Sequence, residues 1–151
     1  MTCGPAPHQT REAPRPVKLI LYQRGEIREY SSAHPKGSLI IQKVESLLVH
    51  ASGVLRWVPP PKLLDSLKTR GRAVELLYPA PVTLVVAFNG ETLHPTRLLV
   101  PLEGEWIDPK SRTPALIFHG YPEYSGAPYQ NLQGIGRLLK MLHALTGHPF
   151  Q

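Results

Sequence analysis

Residues 72–120 decide the fold: RAVELLYP (72–79), PVTLVVAFNGETLH (81–94), TRLLVPLEGEW (96–106) and TPALIFHG (113–120). Each segment holds an apolar run of strand length, and Pro, Gly or Asn-Gly separates it from the next. That punctuation predicts a meandering antiparallel sheet. In AVELLY (73–78), Val74, Leu76 and Tyr78 fall on one face, and Ala73, Glu75 and Leu77 on the other. Glu75 either is a buried acid or, as the favoured expectation, faces solvent or pairs with a neighbouring arginine. Residues 82–88 are nearly all apolar, which predicts a strand at the sheet centre. Asn89-Gly90 is the strongest hairpin signal. Residues 91–94 return from it, 97–102 form the next strand with Pro101 marking an edge or bulge, and 115–119 form the last. Trp106 is expected to fold back over the sheet.

Upstream, VKLILYQ (17–23) and EIREYS (26–31) flank Arg24-Gly25, which suits a tight two-residue turn with a half-solvated second strand. Ile40, Ile41, Val44, Leu47, Leu48 and Ala51 recur at helical spacing. They predict a helix over 38–51, capped by Ser38 and stopped by Gly53 in a left-handed conformation, with His50 in solvent. A short strand over 54–58 ends in a proline run, and Pro61 opens a small helix to Thr69, closed by Gly71. Downstream, 120–133 read as a loop. Ile135, Leu138, Leu139, Leu142 and Leu145 define a final helix over 134–146, ended by Gly147 and Pro149.

The chain of 151 residues, 42% hydrophobic, fits one domain with a true core. Its 17 prolines are about twice ordinary usage. Together with few Met and Cys they fit a thermostable protein. A single cysteine excludes an internal disulfide. The formal charge of +6 invites an anionic partner. However, no basic run with interleaved aromatics and no basic helix face accompanies it, which disfavours nucleic acid. No stretch reaches the roughly 20 apolar residues of a membrane span.

Residues 1–16, MTCGPAPHQTREAPRP, are rich in proline and lack apolar periodicity, which predicts a disordered leader ahead of a single domain over 17–151. Cys3 followed by Gly4 and a Pro/Ala/Gln/Thr/Glu tether resembles the mature N-terminus of bacterial lipoproteins, although Thr2 stands where a smaller residue is usual. The resemblance covers this leader alone. It implies an acylated Cys3, an extracytoplasmic domain held at the membrane only through that lipid, and a short linker between the two.

Motifs for catalysis are missing. The seven histidines have no metal-ligand spacing, and neither a CxxC nor an acidic calcium loop occurs. Gly134-Ile135-Gly136 lacks the third glycine and the preceding strand of a phosphate-binding turn. No nucleophile sits in a GxSxG turn. Pairs such as Glu103 with Glu105, or Glu75 with Asp108, rest only on the presence of acids. No cofactor or metal is implied. The remaining feature is the loop containing Tyr121, Glu123, Tyr124, Tyr129 and Asn131, in which tyrosines offer large amphipathic contacts. Either these residues form a ligand- or partner-binding surface, or the rings pack over the sheet edge and fix the last helix. Exposure of the rings discriminates between the two.

The sequence therefore predicts an α+β domain: a mostly antiparallel sheet of five to six strands, with the helices over 38–51 and 134–146 packed on one face. The expected function is non-enzymatic, a binding or assembly role in the bacterial cell envelope, with a protein or small ligand as partner. The alternatives are a cytosolic interaction or regulatory domain and, third, a small hydrolase-type enzyme.

Overall fold

The computed structural model describes residues 16–103 and 114–147. Cys3 and its leader, and the segment with Glu105, Trp106 and Asp108, lie outside the described residues. β1 (Lys18–Gln23) and β2 (Glu26–Ser31) form a hairpin. Arg24 and Gly25 both take positive φ, 48° and 92°, the geometry that matches the twist of a two-residue hairpin. α1 (Pro35–Val49) follows, then β3 (Gly53–Val54), α2 (Pro61–Thr69) and β4 (Arg72–Leu77). After these come β5 (Leu84–Val85), β6 (Thr92–Leu93), β7 (Arg97–Pro101), β8 (Ala115–Gly120), β9 (Tyr129–Asn131) and α3 (Gly136–Thr146).

The main sheet runs β2-β1-β4-β7-β8-β9-β3, every neighbouring pair antiparallel, with β5 and β6 in a separate two-stranded ribbon. This is the α+β architecture that the sequence implies. The main sheet has seven strands rather than five or six, because β9 is too short to display a period and the short strand near residue 54 pairs with it at the sheet edge. β9 also interrupts what reads as a continuous loop over 120–133.

Register sorts the side chains onto two faces, since directly opposed residues point the same way. Leu19 opposes Leu76 and Leu21 opposes Val74. Val74 in turn opposes Val100, and Leu76 opposes Leu98. α1 and α3 cover this face, where Ile40, Val44, Leu47 and Leu48 join Leu138 and Leu142 in one buried cluster. The alternate set, Ile20, Tyr22, Ala73, Glu75, Leu99 and Phe118, points to the opposite face. α2 packs there across β1 and β4, burying Leu64 and Leu67.

Several local expectations are corrected. α1 starts at Pro35, ahead of Ser38, because His34 caps it: Nδ1 accepts from the Gly37 amide at 3.2 Å. Pro35 adds a preset helical φ at the first turn. Gly53 has no positive φ; it belongs to β3, and the strand expected over 54–58 ends at Val54. α3 begins at Gly136 and closes at Gly147, whose φ is 77°. Pro101 lies in a central strand but beyond Leu99↔Phe118, where the β7–β8 ladder stops, so its missing N–H breaks no pairing with β8.

The largest correction concerns 82–88, which does not occupy the sheet centre. Pro79 and Pro81 carry the chain out of the plane after Leu77, and β7 takes the place beside β4. The excursion returns on itself through Tyr78 N–H to Thr96 O (2.8 Å) and Val82 N–H to Pro95 O (3.1 Å). Ala87 N–H pins it to Val49 O at the end of α1 (2.9 Å). Val86 and Leu93 are buried, while Val85 and Phe88 are each 49% exposed. At its tip only Gly90 has positive φ, and the Asn89 side chain accepts from Glu91 N–H instead. The turn is therefore wider than a two-residue hairpin.

Candidate functional site

Strand alternation turns Glu75 away from α1 and inward beneath α2, leaving it 1% exposed. The expectation that it faces solvent or meets an arginine is corrected by its partners. Lys68 Nζ, from the last turn of α2, lies 2.8 Å from Oε2. Tyr22 on β1 donates to Oε1 at 2.7 Å, and Tyr124 donates to Oε2 at 2.6 Å. A buried carboxylate recovers its hydration only through such bonds. The tyrosine protons are held in turn. Burial pushes both hydroxyls far above the ordinary tyrosine value, and the Glu75 carboxylate adds to the effect by hydrogen bonding and charge.

Tyr124 reaches Glu75 because the chain doubles back immediately after β8. Gly120 bridges to Tyr124. A Cβ at position 120 would overlap Glu123 O and come within 2.6 Å of Tyr124 Cα. The missing side chain is thus what lets the turn lie flat on the sheet. Tyr124 is also flanked by two cations, Lys68 Nζ 5.5 Å and the Arg97 guanidinium 5.4 Å from its ring centre.

A cleft of about 310 Å³ opens between α2, the sheet and this turn. Leu64, Asp65 and Lys68 of α2 form one wall; Glu123, Tyr124, Ser125 and Gly126 form the other. Arg97 and Phe118 supply the floor, while Val58, Pro59 and Pro61 close one end. His119 borders the cleft as well, but register places its side chain on the α1 face, its ring 5.5 Å from that of Tyr129. Burial lowers the pKa of that imidazole, with Glu91 opposing the shift. Among the described residues Arg97 Nε is buried without a hydrogen-bond partner, and the guanidinium's ion pair with Glu123 spans 3.9 Å.

The five loop residues singled out by the sequence do not form one surface. Glu123 and Tyr124 line the cleft, and Tyr121 lies beside them in the chain, 62% exposed. Tyr129 and Asn131 belong to β9 and face α1. Tyr129 is buried and donates to Glu91, and Asn131 donates to Leu47 O and His50 O, both at 3.1 Å. One tyrosine is open, one half-buried and one buried, so the rings do not all pack over the sheet edge. Cys3 lies outside the described residues. Sequence reasoning passed over Tyr22, Lys68 and Arg97: strand register brings Tyr22 and Arg97 to one face, and the packing of α2 across β1 and β4 brings Lys68.

Among the described residues no group of three His, Cys, Asp or Glu side chains could hold a metal ion, and no helix is long and apolar enough to cross a membrane. No protein-family model, curated protein or solved structure matches this chain.

Proposed function

We propose that this chain is a non-enzymatic binding domain that holds its ligand in the cleft between α2 and the 121–126 turn. The observation that carries the reading is the unfilled space over the polar face of the sheet, walled by the loop residues Glu123 and Tyr124 and by two cations. Its volume stands at the small end of the range of small-molecule sites, roughly 300–1,000 Å³. Binding is favoured over catalysis because Glu75, the most deeply buried acid here, already accepts from three donors. It is saturated rather than poised to take a proton from a substrate.

The test is a chemical-shift titration of the labelled protein with a mixed panel of small acids, amides, amines and sugars. Saturable shifts should gather on Leu64, Lys68, Phe118 and Ser125. Shifts confined to another surface, such as the Val85–Phe88 tip, or no saturable shift at all, would sink the reading.

The cell-envelope placement rests on the Cys3-Gly4 leader alone. A lipid-modified peptide beginning at Cys3, found by mass analysis of the native membrane fraction, is the expected outcome. An unmodified N-terminus would instead favour a cytosolic interaction domain.

A further inference from the structure

The charges in the cleft are graded with depth. Lys68 and Arg97 lie inside, their side chains 22% and 27% exposed. Glu123 stands at the rim with its side chain 83% exposed, and Asp65 is exposed on the α2 wall. Lys68 is already neutralised by Glu75 at 2.8 Å. Among the described residues Arg97 Nε is buried without a hydrogen-bond partner, and the guanidinium's ion pair with Glu123 spans 3.9 Å, too long for a hydrogen bond. The charge inside the cleft that is met only weakly is that of Arg97, whose partner Glu123 is exposed at the rim, and it is carried by a planar fork that matches a carboxylate edge. The apolar part of the lining comes from Pro59, Leu64 and Phe118, with Pro61 and Val58 at one end.

From this arrangement, and resting on the cleft reading above, we infer that the ligand is a small monocarboxylate with a flat apolar body. Its head meets Arg97 beside Lys68, and its body lies against Phe118 and the prolines. A carboxylate in the cleft offers the accessible end of the Arg97 fork a closer partner than Glu123 at 3.9 Å, in a site partly shielded from water where charged bonds are stronger. A phosphate dianion would bring a second negative charge with no cation to meet it, towards Asp65 and Glu123. A cationic head would oppose both Lys68 and Arg97. One negative charge fits; two or a positive one do not.

The experiment titrates the full chain with phenylacetate, phenylacetamide, phenethylamine and inorganic phosphate, following the amide shifts of Lys68, Phe118 and Ser125. Phenylacetate is expected to bind about tenfold more tightly than phenylacetamide, the value of one charge-assisted hydrogen bond set. Added salt should narrow that gap. Arg97→Gln should reduce the preference to about twofold or less. Arg97→Lys keeps the charge in the sheet, so it tests the fork even if the glutamine variant folds poorly; it should give an intermediate preference.

Equal affinity for acid and amide, with shifts still in the cleft, would overturn the carboxylate inference and leave the binding reading standing. Tighter binding of phosphate or of the amine would overturn it in favour of that charge class. If no compound in this series or in the broader panel moves the cleft residues, the binding reading itself fails.

Discussion

The two faces of the central sheet rest on different physical chemistry. On the α1 face, Leu19, Leu21, Val74, Leu76, Leu98 and Val100 meet two helices in a layer with almost no exposure. On the α2 face the same strands present Tyr22, Glu75 and Arg97, set among the buried Ile20, Ala73, Leu99 and Phe118, to one short helix and a turn. An aliphatic layer is stabilised by burial itself, about 25 cal/mol per Å² of apolar surface removed from water. A charged layer gains little that way, because each ion must replace its hydration with a specific partner. At these positions the first face is aliphatic throughout. The second mixes apolar residues with ions that need specific partners, and it is the one that opens as a cleft.

Adjacent residues of β4 test that contrast most sharply. Leu76→Ala, on the aliphatic face and fully buried, should lower stability by about 3 kcal/mol, from lost transfer energy and the cavity left behind. Lys68→Met, on the other face, should lower it by about 2 kcal/mol, since Glu75 stays buried with only two tyrosines to hold its charge. Glu75→Gln should have a smaller effect, about 1 kcal/mol, because Lys68 is partly exposed and can turn to water. Urea denaturation of the three variants measures the order. If Glu75→Gln proves more harmful than Lys68→Met, the buried anion is not the element that needs its partner, and the contrast between faces is misdrawn.

Gly120 offers a finer probe, because it holds the cleft without filling either core layer. Gly120→Ala forces the 123–124 backbone off the sheet. Stability should fall by about 1 kcal/mol, the net of a lifted turn and a lost Tyr124–Glu75 bond. The more telling effect is local: ring-current shifts around Tyr124 should change while those of the α1–α3 layer do not. Shifts spread evenly over both faces would mean that the cleft and the core are one mechanical unit.

The sequence made one face far more legible than the other. Alternation in 73–78 already separates Val74 and Leu76 from Glu75, and the helical spacing of Ile40, Val44 and Leu47 marks what covers them. These are local periods, readable within one element. The Glu75 site is not local: its tyrosines stand 53 and 49 residues away in sequence. Tyr22 arrives through strand register, and Tyr124 arrives because Gly120 admits a backbone contact. Neither event leaves a periodic trace. Residues 82–88 fail for a related reason. Apolarity reports that a run is buried somewhere, but the prolines before it decide that it buries Val86 fully and Val82 and Leu84 in part, and leaves Val85 and Phe88 half open.

The tyrosines themselves provide the gentlest test, through pH. Tyr22 and Tyr124 on the charged face, and Tyr78 bonded to Glu45 of α1 at 2.7 Å on the other, all have pKa values raised first by burial and then by their carboxylate partners. In the unfolded chain each ionises near its ordinary value of about 10. A raised folded pKa means that the stabilisation is complete below that value and declines as pH climbs above it, because only the unfolded state then releases the proton. Stability should therefore hold up to about pH 10 and fall beyond it, each tyrosine contributing at most about 1.4 kcal/mol per pH unit. Tyr22→Phe and Tyr124→Phe should each remove one share of that slope, and Tyr78→Phe a third of independent origin. Urea midpoints measured at closely spaced alkaline pH, with tyrosinate absorbance followed in parallel, resolve these shares. Since Tyr22 and Tyr124 contact the same carboxylate, their double variant should depart from additivity, whereas Tyr22 with Tyr78 should not. Additive slopes for both pairs would show that Glu75 does not couple its two tyrosines, and the charged face would then be a set of separate bonds rather than one site.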